Sequence, residues 1–171
     1  SSNKSSLFRS LINLLEEKNI KFSFVPKEKF KKYKDKNHQG AFAILSPINT
    51  YSLEELISTT FTKNKHLTYL LLDGITDTRN FGSIIRTSLA AKISGIIISE
   101  NNSAPINSDV IKTSSGAAFK IPIAKVNNLK DAIIHLNSLN INIYSLSEKA
   151  ERNIYDIDLS LIHISEPTRQ W

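Results

Sequence analysis

Apolar residues at Leu7, Phe8, Leu11, Ile12, Leu14 and Leu15 recur at helical spacing and predict one amphipathic helix ending near Asn19. Lys21-Phe22-Ser23-Phe24-Val25 then alternates polar with apolar, as a half-buried strand does, and Pro26 closes it. A short basic helix or turn follows through Phe30 and Tyr33. His38-Gln39-Gly40 leads into Ala41-Phe42-Ala43-Ile44-Leu45, a second predicted strand. Residues 1–46 therefore read as part of a small α/β domain, and 47–66 as a connector with a helix over 53–60.

The pattern changes at Leu67. Leu67-Thr68-Tyr69-Leu70-Leu71-Leu72 is a nearly continuous apolar run, which a strand buried on both faces requires. A polar loop over 73–82 precedes a helix predicted over 83–92, with Ile84, Ile85 and Leu89 facing inward. Strands over 95–99 and 121–126, a helix over 129–139 and a strand over 141–146 continue the alternation. Strand and helix in turn imply an α/β fold: a mostly parallel sheet with helices on both faces. There is no internal repeat and no low-complexity tract.

Composition narrows the class. Of 171 residues, 40% are hydrophobic and 22% charged, the mix of a globular protein rather than a disordered one. No apolar run approaches the roughly 18 residues of a membrane span. Without cysteine there is no disulfide and no thiolate metal site, and the expected compartment is the cytoplasm. Methionine is also absent, which leads to the expectation that residues precede Ser1. The net charge of +6 is unevenly placed: residues 1–66 hold 12 Lys+Arg against 6 Asp+Glu, and residues 67–171 hold 10 against 10. Such a local excess suits phosphate contacts to RNA, and it equally suits a solvated lysine-rich surface.

In a parallel α/β sheet, ligands sit in the loops at the carboxyl ends of the strands. The loop to inspect is Asp73-Gly74-Ile75-Thr76-Asp77-Thr78-Arg79-Asn80-Phe81-Gly82. Its glycines do not form a dinucleotide fingerprint, and no Gly-Lys-Ser/Thr ending marks a phosphate loop. Asp73 and Asp77 are either a carboxylate pair or turn and cap formers. Asn80 is suited to cap a helix beginning near Phe81, accepting from the Ser83 amide. Gly82 permits close approach of a ligand or another backbone. Arg86, about one turn into the helix, can grip a phosphate or carboxylate with paired hydrogen bonds. It can as readily be an ordinary helix arginine, and spacing alone does not choose.

Asp73-Gly74 followed by Asp77-Thr78-Arg79-Asn80-Phe81-Gly82-Ser83-Ile84-Ile85-Arg86 resembles the first signature motif of the SpoU (TrmH/RlmB-like) RNA ribose 2′-O-methyltransferases of the SPOUT superfamily. His38-Gln39-Gly40-Ala41 resembles the end of that family's amino-terminal substrate-binding domain. Lys112-Thr113-Ser114-Ser115-Gly116-Ala117-Ala118, with Ile121-Pro122-Ile123 and Asn128-Leu129, resembles its middle segment. The resemblance runs from about Leu7 to Ser160.

It implies methyl transfer from S-adenosylmethionine to a ribose 2′-hydroxyl, on ribosomal RNA, by a homodimer and without a metal. Asn80 and Arg86 occupy the catalytic-motif positions. His38, Gln39, Gly40, Arg79, Lys29, Lys31 and Lys32 are the implied RNA contacts. A base or a strong orienting group must act on the hydroxyl. Guanidinium holds its proton too tightly for an easy base, so Arg86 is expected to hold the substrate phosphate and orient the hydroxyl, and Asn80 to orient Arg86 or the substrate.

The sequence departs from the family at its far end. The Gly-x-Glu-x-x-Gly loop and the Ser-Leu-Asn-Val-Ser segment that build the cofactor-holding knot are absent. The fold expectation is thus a partial SPOUT sheet over 67–160 without its C-terminal knot, with no cofactor-binding residue to name. Residues 161–171 are expected to be a tail without family counterpart, either genuine or artefactual, and the chain alone is expected to be inactive. A non-catalytic RNA-binding protein is the competing expectation.

Overall fold

The computed structural model describes residues 2–34, 40–61, 67–146, 149–151 and 153–156. The chain divides into two compact units, Ser1–Leu45 and Ser46–Trp171.

In the first unit, helix α1 spans Ser2–Glu17. It ends where Asn19 takes a left-handed backbone (φ 52°) and Ile20 N–H donates to the Leu15 carbonyl at 2.8 Å, a helix stop of the kind Asn tolerates. A 3-10 helix covers Lys27–Tyr33. At three residues per turn, Phe30 and Tyr33 fall on one side of it, and both meet the Phe42 ring, with centroids 5.6 and 3.9 Å away. Residues 21–25 and 41–45 form no strand, against the alternating pattern. Alternation fixes which side chains share a face, but a strand also needs a neighbour for its backbone groups. Rings cluster here instead: Phe24 packs against Phe8 and Phe22 at 6.3 and 5.7 Å.

The second unit is a three-stranded parallel sheet in the order β1 (Tyr69–Leu72), β2 (Gly95–Ser99), β3 (Ile123–Val126). Helices lie on both faces. Side chains alternate strictly across the sheet, so Tyr69, Leu71, Ile97 and Ala124 point to one face. There they meet α2 (Leu53–Phe61) and α5 (Leu129–Ser138). Leu72, Ile96, Ile98 and Ile123 point to the other, against α3 (Thr78–Ala90), α4 (Ser108–Thr113) and a 3-10 turn at Ala117–Phe119. All five residues of β2 are buried, as expected of the central strand.

Residues 47–61, read as connector, contribute to this core. Tyr51 lies along the outer edge of β3, its N–H donating to the Ile123 carbonyl and its own carbonyl accepting from Lys125 N–H, each at 3.0 Å. Ser52 and Glu55 then form a capping box: Glu55 N–H donates to Ser52 Oγ (3.2 Å) and Ser52 N–H to Glu55 Oε2 (2.8 Å). The cap starts α2 at the residue that lets Leu53 and Leu56 face the sheet. Leu56 is fully buried over Gly95, and a β-carbon on Gly95 would stand 2.7 Å from Leu56 Cδ1. Further along α2, the Thr60 hydroxyl pairs with the buried Tyr69 hydroxyl.

Two other expectations are corrected. The third strand begins at Ile123 rather than Ile121, because Pro122 has no N–H to give the ladder; its carbonyl still accepts from Ile96 N–H at 3.0 Å. Residues 141–146 form no strand. Asn140, left-handed at φ 57°, ends α5, and Ile141 N–H donates to the Leu136 carbonyl (3.2 Å), so that amide is engaged in the helix stop.

Candidate functional site

The loop after β1 delivers α3. The helix begins five residues earlier than its apolar pattern suggests, and its cap is Asp77, not Asn80. Asp77 Oδ1 accepts from the Asn80 N–H at 2.7 Å. A carboxylate at a helix amino end has both the hydrogen bond and the helix dipole in its favour, and so it takes the cap from the neutral amide of Asn80. Of the two readings of Asp77, the cap is correct. Asn80 becomes the third residue of the helix, with its side chain released from capping.

At about 100° per residue, α3 separates cleanly into two arcs. Phe81, Gly82, Ile85 and Ser88 are buried against the sheet and α4. Arg79, Asn80, Ser83, Arg86, Thr87 and Ala90 are exposed. Asn80 and Arg86 stand at the two margins of the exposed arc, about 120° apart, with Ser83 between them. Arg79 lies about 20° from Arg86, two turns away along the axis. Ser83 Oγ donates to the Asn80 carbonyl (2.8 Å) and Thr87 Oγ1 to the Ser83 carbonyl (3.0 Å). Among the described residues, neither the Asn80 side-chain amide nor the Arg86 guanidinium has a hydrogen-bond or ion-pair partner. Both face solvent with their donors available.

Gly82 serves packing. A β-carbon there would overlap Thr113 Oγ1 and stand 2.8 Å from Thr113 Cβ and 3.1 Å from Ser114 N, so α4 rests on the bare backbone of α3. The middle segment is architectural as well. Ser114 is fully buried, its hydroxyl donating to the Ile111 carbonyl at 3.0 Å. Gly116 adopts φ 80° and its N–H donates to the Ile111 carbonyl at 3.0 Å, turning the chain so that Ala117 and Ala118 enter the core. The left-handed backbone is the reason for glycine there, since a β-carbon would meet nothing within 4 Å.

The rim of the site is joined by backbone. Ala104 N–H, in the loop after β2, donates to the Ile75 carbonyl in the loop after β1 at 2.7 Å. Beside it, Ser103 Oγ is buried without a partner among the described residues. Asn107 and Asn128 cap α4 and α5 with their side-chain oxygens. Their acceptors are therefore engaged, and one orphan hydroxyl does not make a holder for an adenosyl group. The described residues do not fit the methyl donor, and no cofactor contact is assigned to any of them. No group of three potential metal ligands occurs among the described residues.

Of the implied RNA contacts, Arg79 joins Asn80 and Arg86 on the α3 surface. Lys29, Lys31 and Lys32 are exposed on the 3-10 helix of the first unit, with Lys29 and Lys32 on one side and Lys31 turned toward another. Gly40 is exposed at φ 84°, a turn glycine with open space around it. His38 and Gln39 lie outside the described residues. Sequence reasoning did not single out Thr113 as a packing contact of α3. It also passed over Ser52 and Glu55, although Ser-x-x-Glu ahead of an apolar run is a legible signal.

The parallel sheet covered on both faces is shared with solved RNA methyltransferases. The AdoMet-bound rRNA methyltransferase from Sinorhizobium meliloti superposes with a TM-score of 0.57 at 26% identity, over 69% of this chain and 43% of that one. Residues 67–168 match the SpoU rRNA Methylase family, and residues 1–51 match the RNA 2′-O ribose methyltransferase substrate-binding family. The chain belongs to the SpoU rRNA methylase family. The first match runs to residue 168, into the stretch expected to have no family counterpart.

An uncharacterized tRNA/rRNA methyltransferase of Mycoplasma genitalium is 38% identical over 133 residues, 77% of this chain and 54% of that protein. The 23S rRNA (guanosine-2′-O-)-methyltransferase RlmB of Xanthomonas campestris is 33% identical over 122 residues, 71% of this chain and 49% of that protein. The chain thus spans about half the length of the curated relatives it matches.

Proposed function

We propose that this chain carries the substrate-facing half of an RNA ribose 2′-O-methyltransferase that takes its methyl group from S-adenosylmethionine and acts on ribosomal RNA in the cytoplasm, as a homodimer. The observation that carries this reading is the exposed arc of α3, where Asn80 and Arg86 stand unpartnered among the described residues, in a chain of the SpoU family. S-adenosylmethionine, when bound, supplies a methyl group activated for attack by an oxygen. What the chain's own residues contribute is placement. Arg86 holds the phosphate next to the target ribose through paired N–H donors and aligns the 2′-hydroxyl. Arg79, on the same side of the helix, adds a second phosphate contact. The amide of Asn80 orients the substrate from the opposite margin of the arc. The lysines of the first unit supply nonspecific RNA affinity through counterion release.

The test uses the full product of the gene, labelled S-adenosylmethionine and ribosomal RNA. Arg86→Ala is expected to abolish methyl transfer and to leave cofactor binding nearly intact. Loss of cofactor binding instead would sink the assignment. The confinement of the basic excess to residues 1–66 supports a second reading, RNA binding without catalysis. Unmodified RNA, bound by the wild-type product with S-adenosylmethionine present, is the result that favours it.

A further inference from the structure

Thr78, Gly82 and Arg86 are spaced four apart and form one row along α3, the row that runs from the capped end to the guanidinium. Thr113, the last residue of α4, sits on that row. Its Oγ1 and Cβ occupy the space that a side chain at Gly82 would need. Its hydroxyl donates to the Asp109 carbonyl at 2.7 Å, with the Val110 carbonyl at 3.3 Å and, across to α3, the Thr78 carbonyl at 3.5 Å. The strong bond fixes the Thr113 side chain within its own helix. The long one places the same oxygen over the first residue of α3. Thr113 therefore touches two successive members of the row, and the next member is Arg86.

We propose that Thr113 is a positioning residue for Arg86: seated on the bare backbone of Gly82, it sets the depth and rotation at which α3 stands, and so where the guanidinium meets RNA. The inference rests on the methyltransfer reading for its consequence in turnover, and on packing alone for its mechanical content. Shape carries it more than the 3.5 Å hydrogen bond, because Cβ and Oγ1 are the atoms against Gly82. Serine retains both atoms. Alanine loses Oγ1 and leaves α3 free to settle or turn.

The experiment compares wild-type, Thr113→Ser and Thr113→Ala forms of the full gene product, with ribosomal RNA and S-adenosylmethionine. Thr113→Ala is expected to lower kcat by on the order of tenfold, below the hundredfold that a misplacement of about 1 Å can cost. KM for RNA and the cofactor dissociation constant should stay within about twofold, and Thr113→Ser should lie within about twofold of wild type in kcat. Wild-type kcat in Thr113→Ala overturns the proposal, and so does a serine form as impaired as the alanine form. Amide hydrogen exchange at residues 80–86 is measured on the same three proteins and needs no turnover. Acceleration of on the order of fivefold or more in Thr113→Ala, absent in Thr113→Ser, supports the proposal; equal rates in all three overturn it. If the wild type transfers no methyl group, the methyltransfer reading fails, while the exchange rates still decide whether Thr113 holds α3.

Discussion

Leu56 and Gly95 offer a test of whether α2 is an integral part of the second unit. Leu56 is fully buried, and its terminal carbons fill the notch left by Gly95: an added β-carbon would stand 2.7, 3.2 and 3.3 Å from Cδ1, Cδ2 and Cγ. Leu56→Ala empties that notch. Because α2 is held by its capping box and β2 by ladders on both sides, little collapse is available, and the expected loss is about 3–4 kcal/mol. Gly95→Ala alone overpacks the notch. That costs about 1–2 kcal/mol, partly offset by the gain of roughly 0.5–1 kcal/mol from replacing a strand glycine whose φ is not left-handed.

In the double variant the new methyl enters space that Leu56 has vacated. Leu56→Ala with Gly95→Ala should therefore be about 1 kcal/mol more stable than Leu56→Ala alone, although Gly95→Ala destabilises the wild type. The change of sign corresponds to a coupling of about 2 kcal/mol, within the range for residues in contact. Urea unfolding followed by far-ultraviolet circular dichroism measures all four corners of the cycle. Additivity within about 0.5 kcal/mol would refute the contact and detach α2 from the core. A chain started at residue 67 would then be expected to fold unaided.

Two further outcomes concern the cap of α3 and the lysines of the first unit. Asp77→Ala should destabilise the second unit by about 1 kcal/mol and speed exchange of the Asn80 amide, while Asp77→Asn should retain most of the cap; unchanged exchange in the alanine form would show that another group caps α3. Replacing Lys29, Lys31 and Lys32 together by alanine should weaken RNA binding and reduce the slope of log K against log salt by about 0.7 for each phosphate that is no longer neutralised. An unchanged slope would assign these lysines to solvent.

The sheet was legible because its apolar runs leave little choice. Residues 95–99 are too short for a buried helix and too apolar for a loop, and they form the central strand. The Asn-x-Gly-x-x-x-Arg spacing was equally legible, and the arcs of α3 follow from it by geometry. The cap was misassigned because two Asx residues stand three apart ahead of one apolar stripe. Choosing between Asp77 and Asn80 needs the backbone path. The false strands at 21–25, 41–45 and 141–146 share another cause: alternation is local, whereas pairing depends on what lies alongside. Thr113 lies in the middle segment that carries the family resemblance, but its packing against α3 could not be found from sequence. Its contact with Gly82 joins residues 31 apart in the chain, and no periodicity reports which face of α4 meets which face of α3.

The bond between Ile75 O and Ala104 N has a consequence for how this rim can change over time. The tie itself is made by main-chain atoms, so it survives most side-chain replacements at either position. The scaffold and its lining are in that sense inherited separately. Side chains along the rim can be exchanged while the hydrogen-bonded spacing between the loops is preserved.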